Sequence, residues 1–121
     1  MDRLYHGTTS NLYKGILKYG LRAGSFVTDN YNEAMDYANQ RAGRLNNMIL
    51  HKHGVNFENV NLKEMKPENL AWLRAYFVQP VVLELEIPEE HYEPTKTYKI
   101  HPLDRIPVQN YRVKRVISIK R

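Results

Sequence analysis

His6 and Tyr37 are the side chains in the first third of the chain whose types and settings point to ligand chemistry. His6 lies in Leu4-Tyr5-His6-Gly7-Thr8-Thr9, and Tyr37 follows Gly24-Ser25-Phe26-Val27-Thr28-Asp29. An imidazole donates or accepts hydrogen bonds near neutral pH. A glycine beside it lets a ligand come close to the main chain. Phe26 and Tyr37 add flat apolar surface. Together they could line a cleft for a flat polar ligand. Arg3 and Arg22 are charge-assisted donors suited to a phosphate group. Thr8 and Ser10 carry hydroxyls, but no base is spaced to activate either as a nucleophile. His51 and His53 flank Lys52 without an acid or cysteine nearby, so no metal site is expected.

The elements that must hold these residues follow from pattern. Residues 2–6 predict a short strand, and Thr8-Thr9-Ser10 reads as a cluster of helix N-cap residues. Leu12, Ile16 and Leu17 share one face of a helix over 11–19, and Gly20 supplies its stop. Leu21 is expected to fold back onto the core. Residues 25–28 predict a second strand. Asn30 and Glu33 form a capping-box-like pair opening a helix through Ala34, Tyr37 and Ala38 toward Arg44. Gly43 weakens its end, and 46–53 either extends it or forms another helix stopped by Gly54. Residues 55–66 carry no clear pattern. Pro67 suits a helix start, with Leu70, Leu73 and Phe77 as an apolar stripe beside Trp72 and Tyr76. Residues 80–87 are the clearest strand, with Val81, Leu83, Leu85 and Ile87 facing one way. Glu84 and Glu86 face the other way and read as a solvated surface. Pro88 ends the strand, residues 89–92 form a turn or one helical turn, and 97–101 and 113–120 predict further strands. Residues 106–108 open a connection. Early helices, a helical insertion and strands toward the end give an α+β class rather than a doubly wound array.

Composition sets the outer bounds. A chain of 121 residues with 42% hydrophobic content is expected to form one domain, 1–121, with a core of its own. The absence of cysteine excludes disulfides and thiolate metal sites and fits a reducing compartment. The first residues lack an apolar signal-like run, and no stretch of about 18 apolar residues occurs, so neither a secretion signal nor a membrane span is expected. The net charge of +5 is concentrated near the end, where Lys96, Lys99, Arg105, Arg112, Lys114, Arg115, Lys120 and Arg121 meet one acid, Asp104. A solvated sheet edge guarded by charge is the simpler expectation. A surface for nucleic acid or an acidic partner protein is the alternative.

Taken in order, His6-Gly7-Thr8, the segment Asn11-Leu12-Tyr13-Lys14-Gly15-Ile16-Leu17-Lys18-Tyr19-Gly20-Leu21, Gly24-Ser25-Phe26-Val27-Thr28-Asp29 and the helix to Tyr37 resemble the ADP-ribosyltransferase fold, in its diphtheria-toxin and poly(ADP-ribose) polymerase branch. The likeness covers residues 2–38 well and 80–120 loosely. It implies a split antiparallel sheet with flanking helices, here with a helical insertion. It implies NAD as the substrate that donates ADP-ribose. In that frame His6 would bond a ribose hydroxyl, Gly7 would meet the nicotinamide carboxamide through its main chain, and Tyr37 would stack on the nicotinamide ring. Thr8 would complete the first motif, and Phe26 would replace a common tyrosine as the pocket wall. Ala34 stands where many polymerase-type members have serine. The branch's third signature residue, a glutamate, falls near Thr97 or Tyr98, where no carboxylate stands. Glu84 is taken as its substitute, with Glu86, Glu89, Glu90, Glu93 and Asp104 as other acids near in sequence and Gln109 as a polar option.

The resemblance therefore implies an NAD-dependent ADP-ribosyltransferase, a glycosyltransferase acting on a protein or nucleic-acid acceptor in the cytoplasm, of the kind found as a small prokaryotic or phage toxin or effector. Two other readings stand beside it. One is an inactive module that binds NAD, ADP-ribose or a partner. The other is an RNA 2′-phosphotransferase-like enzyme, which needs several arginines beside its histidine; Arg3, Arg22, Arg41 and Arg44 are available.

Overall fold

The computed structural model describes residues 2–52, 66–68, 71, 75, 77–93, 98–100 and 105–118. The class is α+β. Strand β1 (Asp2–Thr9) pairs antiparallel with β3 (Pro80–Ile87), and β3 pairs antiparallel with β6 (Arg112–Ser118), giving the order β1-β3-β6. A second sheet has the order β2-β5-β4, with β2 at Phe26–Val27, β4 at Tyr92–Glu93 and β5 at Tyr98–Ile100. The two sheets meet where Tyr5 and Thr28 exchange main-chain hydrogen bonds of 2.6 and 2.9 Å. That bridge brings the end of β2 alongside the middle of β1.

Helix α1 (Tyr13–Tyr19) rests Tyr13 and Ile16 on the core without fully burying any side chain. It ends at Gly20, whose φ of +96° suits glycine. A side chain there would also strike the Ile106 carbonyl. Leu21 then turns inward, fully buried, and exchanges two main-chain hydrogen bonds with Ile106, both 3.0 Å. Leu4, Leu21, Val27, Leu83, Leu85 and Ile100 are among the buried residues between the two sheets. Burying each such aliphatic side chain contributes roughly 1.5–3 kcal/mol before the entropy of ordering is charged against it.

Helix α2 (Tyr31–Lys52) covers the opposite face of the β1-β3-β6 sheet. Its buried row is Ala34, Ala38, Ala42, Asn46 and Leu50, one residue every four. The small alanines let the helix lie close to the sheet. At Gly7 the approach is so close that a Cβ would sit 2.2 Å from the Ala34 carbonyl oxygen. The far end is tied by Asn46, which donates to the Val78 carbonyl at 3.1 Å and accepts from the Val78 N–H at 2.8 Å.

Several sequence expectations need correction. Strand β1 runs on through Thr8 and Thr9, because the buried strand β3 offers both residues ladder partners, Val81 and Pro80. These threonines therefore do not cap α1, whose first turn has no side-chain cap. For residues 46–53 two outcomes were open, and the first holds as far as Lys52: helix α2 is one continuous helix of 22 residues that passes through Gly43, since the packed row on either side outweighs the glycine's propensity cost. The capping pair of Asn30 and Glu33 is also altered. Asn30 accepts from the N–H groups of Asn32 and Glu33, but the Glu33 side chain accepts from the Thr28 hydroxyl at 2.9 Å, and that hydroxyl oxygen accepts the Asn30 N–H at 3.1 Å. Glu84 is buried instead of solvated, because Arg3 and Arg115 close over it from the two neighbouring strands.

Other expectations hold. Residues 80–87 form the central strand, and a single 3₁₀ turn follows at Glu89–His91. Ile106 leads through a 3₁₀ turn at Val108–Asn110 into β6. Pro67, Glu68, Ala71 and Ala75 have helical backbone, while the proposed stripe residues Leu70, Trp72, Leu73 and Tyr76 lie outside the described residues. So do His53, Gly54, the unpatterned stretch 55–65, Thr97, Asp104 and the end of the last strand.

Candidate functional site

The row of α2 next to its buried alanines carries Glu33, Tyr37 and Arg41, again one residue every four. Residues at this spacing stack along one helix face. This row borders two adjoining hollows in the surface. The larger, about 720 Å³, is lined by His6, Gly7, Thr8, Phe26, Tyr37 and Arg41, and by the α1 side of the chain from Leu12 to Gly20. The smaller, about 270 Å³, is lined by Tyr5, Gly7, Phe26, Glu33, Ala34 and Tyr37, with Val27 and Thr28. Gly7, Phe26 and Tyr37 belong to both, so they form the ridge between the hollows. The two rings are held 6.4 Å apart, tilted by 60°, with Phe26 45% and Tyr37 37% exposed. Large aromatic surfaces left open at a cavity rim are ready to meet a flat ligand.

His6 is 8% exposed, and its Nδ1 lies 2.7 Å from the Phe26 carbonyl oxygen. A carbonyl only accepts, so Nδ1 carries the proton and donates. Burial pushes the imidazole below its ordinary value of 6.5; the bond to Phe26 opposes this, and the charge of Arg41 adds to it. His6 is therefore the neutral tautomer at pH 7, with Nε2 as a hydrogen-bond acceptor. Such a nitrogen can take a hydrogen bond from a sugar hydroxyl. The same contact anchors β2 to β1, so His6 is also part of the fold.

Arg22, Arg41 and Arg105 line the larger hollow. Arg105 donates to the Gly20 carbonyl at 3.2 Å. Arg22 and Arg41 have no acidic partner among the described residues. Arginines beside a concave surface with their charge unmatched are suited to bind phosphate.

Comparison with protein-family models, curated proteins and solved structures finds no match. The case for function accordingly rests on the geometry of this chain.

Of the residues singled out from sequence, His6, Gly7, Thr8, Phe26, Tyr37 and Arg22 come together around the larger hollow. Ala34 joins the smaller one, and Tyr31 packs edge-on against Tyr5 at 5.6 Å. Glu84 does not join them. It sits opposite Tyr5 on β3, whereas His6 sits opposite Leu83, so the two side chains leave opposite faces of the sheet. Its oxygens are 3.3 Å from Arg3 and 3.3 Å from Arg115. Arg3 is engaged there and not in the cleft. Glu86 pairs with Lys114 at 3.1 Å. Glu89, Glu90, Glu93 and Gln109 do not border either hollow as described.

Sequence reasoning missed Glu33 and Tyr5 as pocket residues and Arg105 as a cleft residue. The spacing Glu33–Tyr37–Arg41 was a usable signal for the first. Nothing local could have marked Arg105, which reaches the cleft because Ile106 pairs with Leu21 across the fold. Among the described residues, no three His, Cys, Asp or Glu side chains cluster as a metal site. No helix among them is long and apolar enough to cross a membrane.

Proposed function

We propose that the chain binds NAD across the two hollows and transfers its ADP-ribosyl group to a macromolecular acceptor, releasing nicotinamide. The observation that carries this reading is the pairing of a small aromatic pocket with a larger basic cleft across a shared ridge. A dinucleotide with a flat, uncharged-to-cationic ring at one end and a diphosphate in its middle has that same division of chemistry. Nicotinamide would occupy the smaller pocket against Tyr37 and Phe26, with Gly7 offering its main chain to the carboxamide. The ribose would lie at His6, where neutral Nε2 accepts a hydroxyl hydrogen bond, next to Thr8. The diphosphate would meet Arg22 and Arg41, and Arg105 beyond them. The resemblance of the His6-Gly7-Thr8 and Phe26 segments to the ADP-ribosyltransferase branch supports the same assignment.

A second reading is favoured by one specific observation: three arginines gather in the cleft that holds His6. That arrangement also suits an NAD-using RNA 2′-phosphotransferase, whose substrate phosphate would take the place assigned above to the diphosphate.

The deciding experiment incubates the protein with labelled NAD and whole-cell extract and separates the label into protein and nucleic acid. Parallel reactions contain RNA bearing an internal 2′-phosphate. Label carried to a macromolecule, lost in His6→Ala and Tyr37→Ala variants that remain folded, is the expected result. Removal of the 2′-phosphate from RNA would favour the second reading. Full labelling by both variants would remove the proposed site, and binding of NAD without turnover would leave a binding module.

A further inference from the structure

Glu33 has an ordinary reason to stand where it does: acids in the first turn of a helix face its positive end. That end carries roughly half a positive charge, so a whole carboxylate more than cancels it. Glu33 lines the smaller hollow and not the larger one, and it is the one carboxylate bordering either hollow among the described residues. Arg22, Arg41 and Arg105 line only the larger hollow. The smaller hollow therefore has Tyr5, Phe26 and Tyr37 in its lining, with one anion and no cation among the described residues. The Thr28 hydroxyl donates to Glu33 Oε2 at 2.9 Å and holds the group against the end of β2. Aromatic faces attract a cation through their negative quadrupole, and a carboxylate beside them adds its charge.

Building on the NAD reading above, we propose that Glu33 makes the smaller hollow select a positively charged ring, so that it holds the pyridinium of NAD in preference to the neutral ring of NADH or of free nicotinamide. The three rings have nearly the same size and outline, so contact with aromatic walls separates them weakly. Charge does separate them. When the bond to ribose C1′ breaks, the pyridinium nitrogen keeps the electron pair and the ring leaves as neutral nicotinamide. The positive charge passes to the sugar, which lies by His6 in the larger hollow, until an oxygen or nitrogen of the acceptor bonds to C1′ and gives up its proton to water. The attraction to Glu33 is thus present in the substrate and gone in the product. The pocket takes in the reactive form of the dinucleotide and lets the spent ring go. Glu33 acts here as a specificity residue: it holds the ground state and does not assist the bond breaking. Its side chain is exposed, so water screens the effect to a few-fold.

Glu33→Gln keeps an oxygen for the Thr28 hydroxyl and removes only the charge. Two simple probes isolate the ring: 1-methylnicotinamide, a cation, and nicotinamide, which is neutral. NMR titration of the whole chain measures the affinity for each. Wild type should bind the cation about 10-fold more tightly than the neutral ring, the scale of aromatic faces combined with one partly screened carboxylate. In Glu33→Gln the preference should shrink to about 2-fold, through weaker binding of the cation with nicotinamide unchanged. The same variant should lose about 5-fold in affinity for NAD while its affinity for NADH moves less than about 2-fold. Equal losses for both rings would make Glu33 a brace between Thr28 and the helix start and would overturn the proposal, as would an unchanged preference in Glu33→Gln. Wild type that binds NAD but prefers neither probe would overturn this proposal alone. Wild type that prefers the charged probe but does not bind NAD would remove the NAD reading and leave the pocket's choice of a cation standing.

Discussion

Two regions of the molecule hold carboxylates and arginines in opposite states. On the β3–β6 side, Glu84 is clasped by Arg3 and Arg115, and Glu86 by Lys114. Both glutamates there are paired, and the basic strand β6 is partly neutralised by the strand next to it. At the junction of β1, β2 and α2 the charges are left open. Among the described residues, Arg22 and Arg41 border a cleft lined by no acid, and Glu33 borders a smaller pocket lined by no base. Charges that are matched within the chain contribute to its architecture; charges held apart on a concave surface are available to a ligand.

The comparison can be tested by exchanging stability for activity at each region. The largest expected effect is Gly7→Ala, where the new methyl group meets helix backbone that no side chain can yield. Overpacking against backbone predicts a loss of about 3 kcal/mol or more in urea unfolding. Tyr37→Ala should leave unfolding nearly unchanged, because the ring is more than one-third exposed, yet reduce nicotinamide release by about 100-fold if it positions the ring. Asn46→Ala should cost about 2 kcal/mol, since the Val78 N–H and carbonyl both lose their partner. Glu84→Ala should cost about 1 kcal/mol or less, because Arg3 and Arg115 are 61% and 64% exposed and water can solvate them once freed. Its NAD kinetics should match wild type, the reverse of Tyr37→Ala; a 100-fold loss in Glu84→Ala would erase the distinction between the two regions.

The smallest effect is a pH slope. The folded state holds His6 below its ordinary value of 6.5. Between that lowered value and 6.5 the unfolded chain binds the proton more readily, so stability rises with pH across this window and is level above it. Unfolding of wild type and His6→Gln, compared from pH 5 to 7.5, should show a shallower rise in the variant. An identical slope in both would mean that the imidazole does not feel its burial.

The elements around the cleft were largely legible in the chain. The helix ending at Gly20, the inward turn of Leu21 and the central strand at 80–87 are local signals of capping and alternation, and each formed as its residues dictate. That His6, Gly7, Thr8, Phe26 and Tyr37 line one hollow was legible for the same reason, since they lie on consecutive short elements that pack on one another. Thr8 and Thr9 misled because their capping chemistry competed with a ladder partner some seventy residues away. Gly43 left the helix end open in the sequence, and the packed alanines decided it, because propensity is a weak local term beside them.

The amino-acid order by itself determined which segments become helix or strand, which helix face is small enough to approach a sheet, and that Glu33, Tyr37 and Arg41 share one side of α2. Only the tertiary structure decided which charges are consumed and which remain free. Whether a carboxylate meets an arginine depends on strand register and sheet face: a shift of one residue would have turned Glu84 toward His6. The alternation along β3 fixes that Glu84 leaves the face opposite Leu83, but which strands flank that face, and so which arginines reach Glu84, is set by long-range pairing.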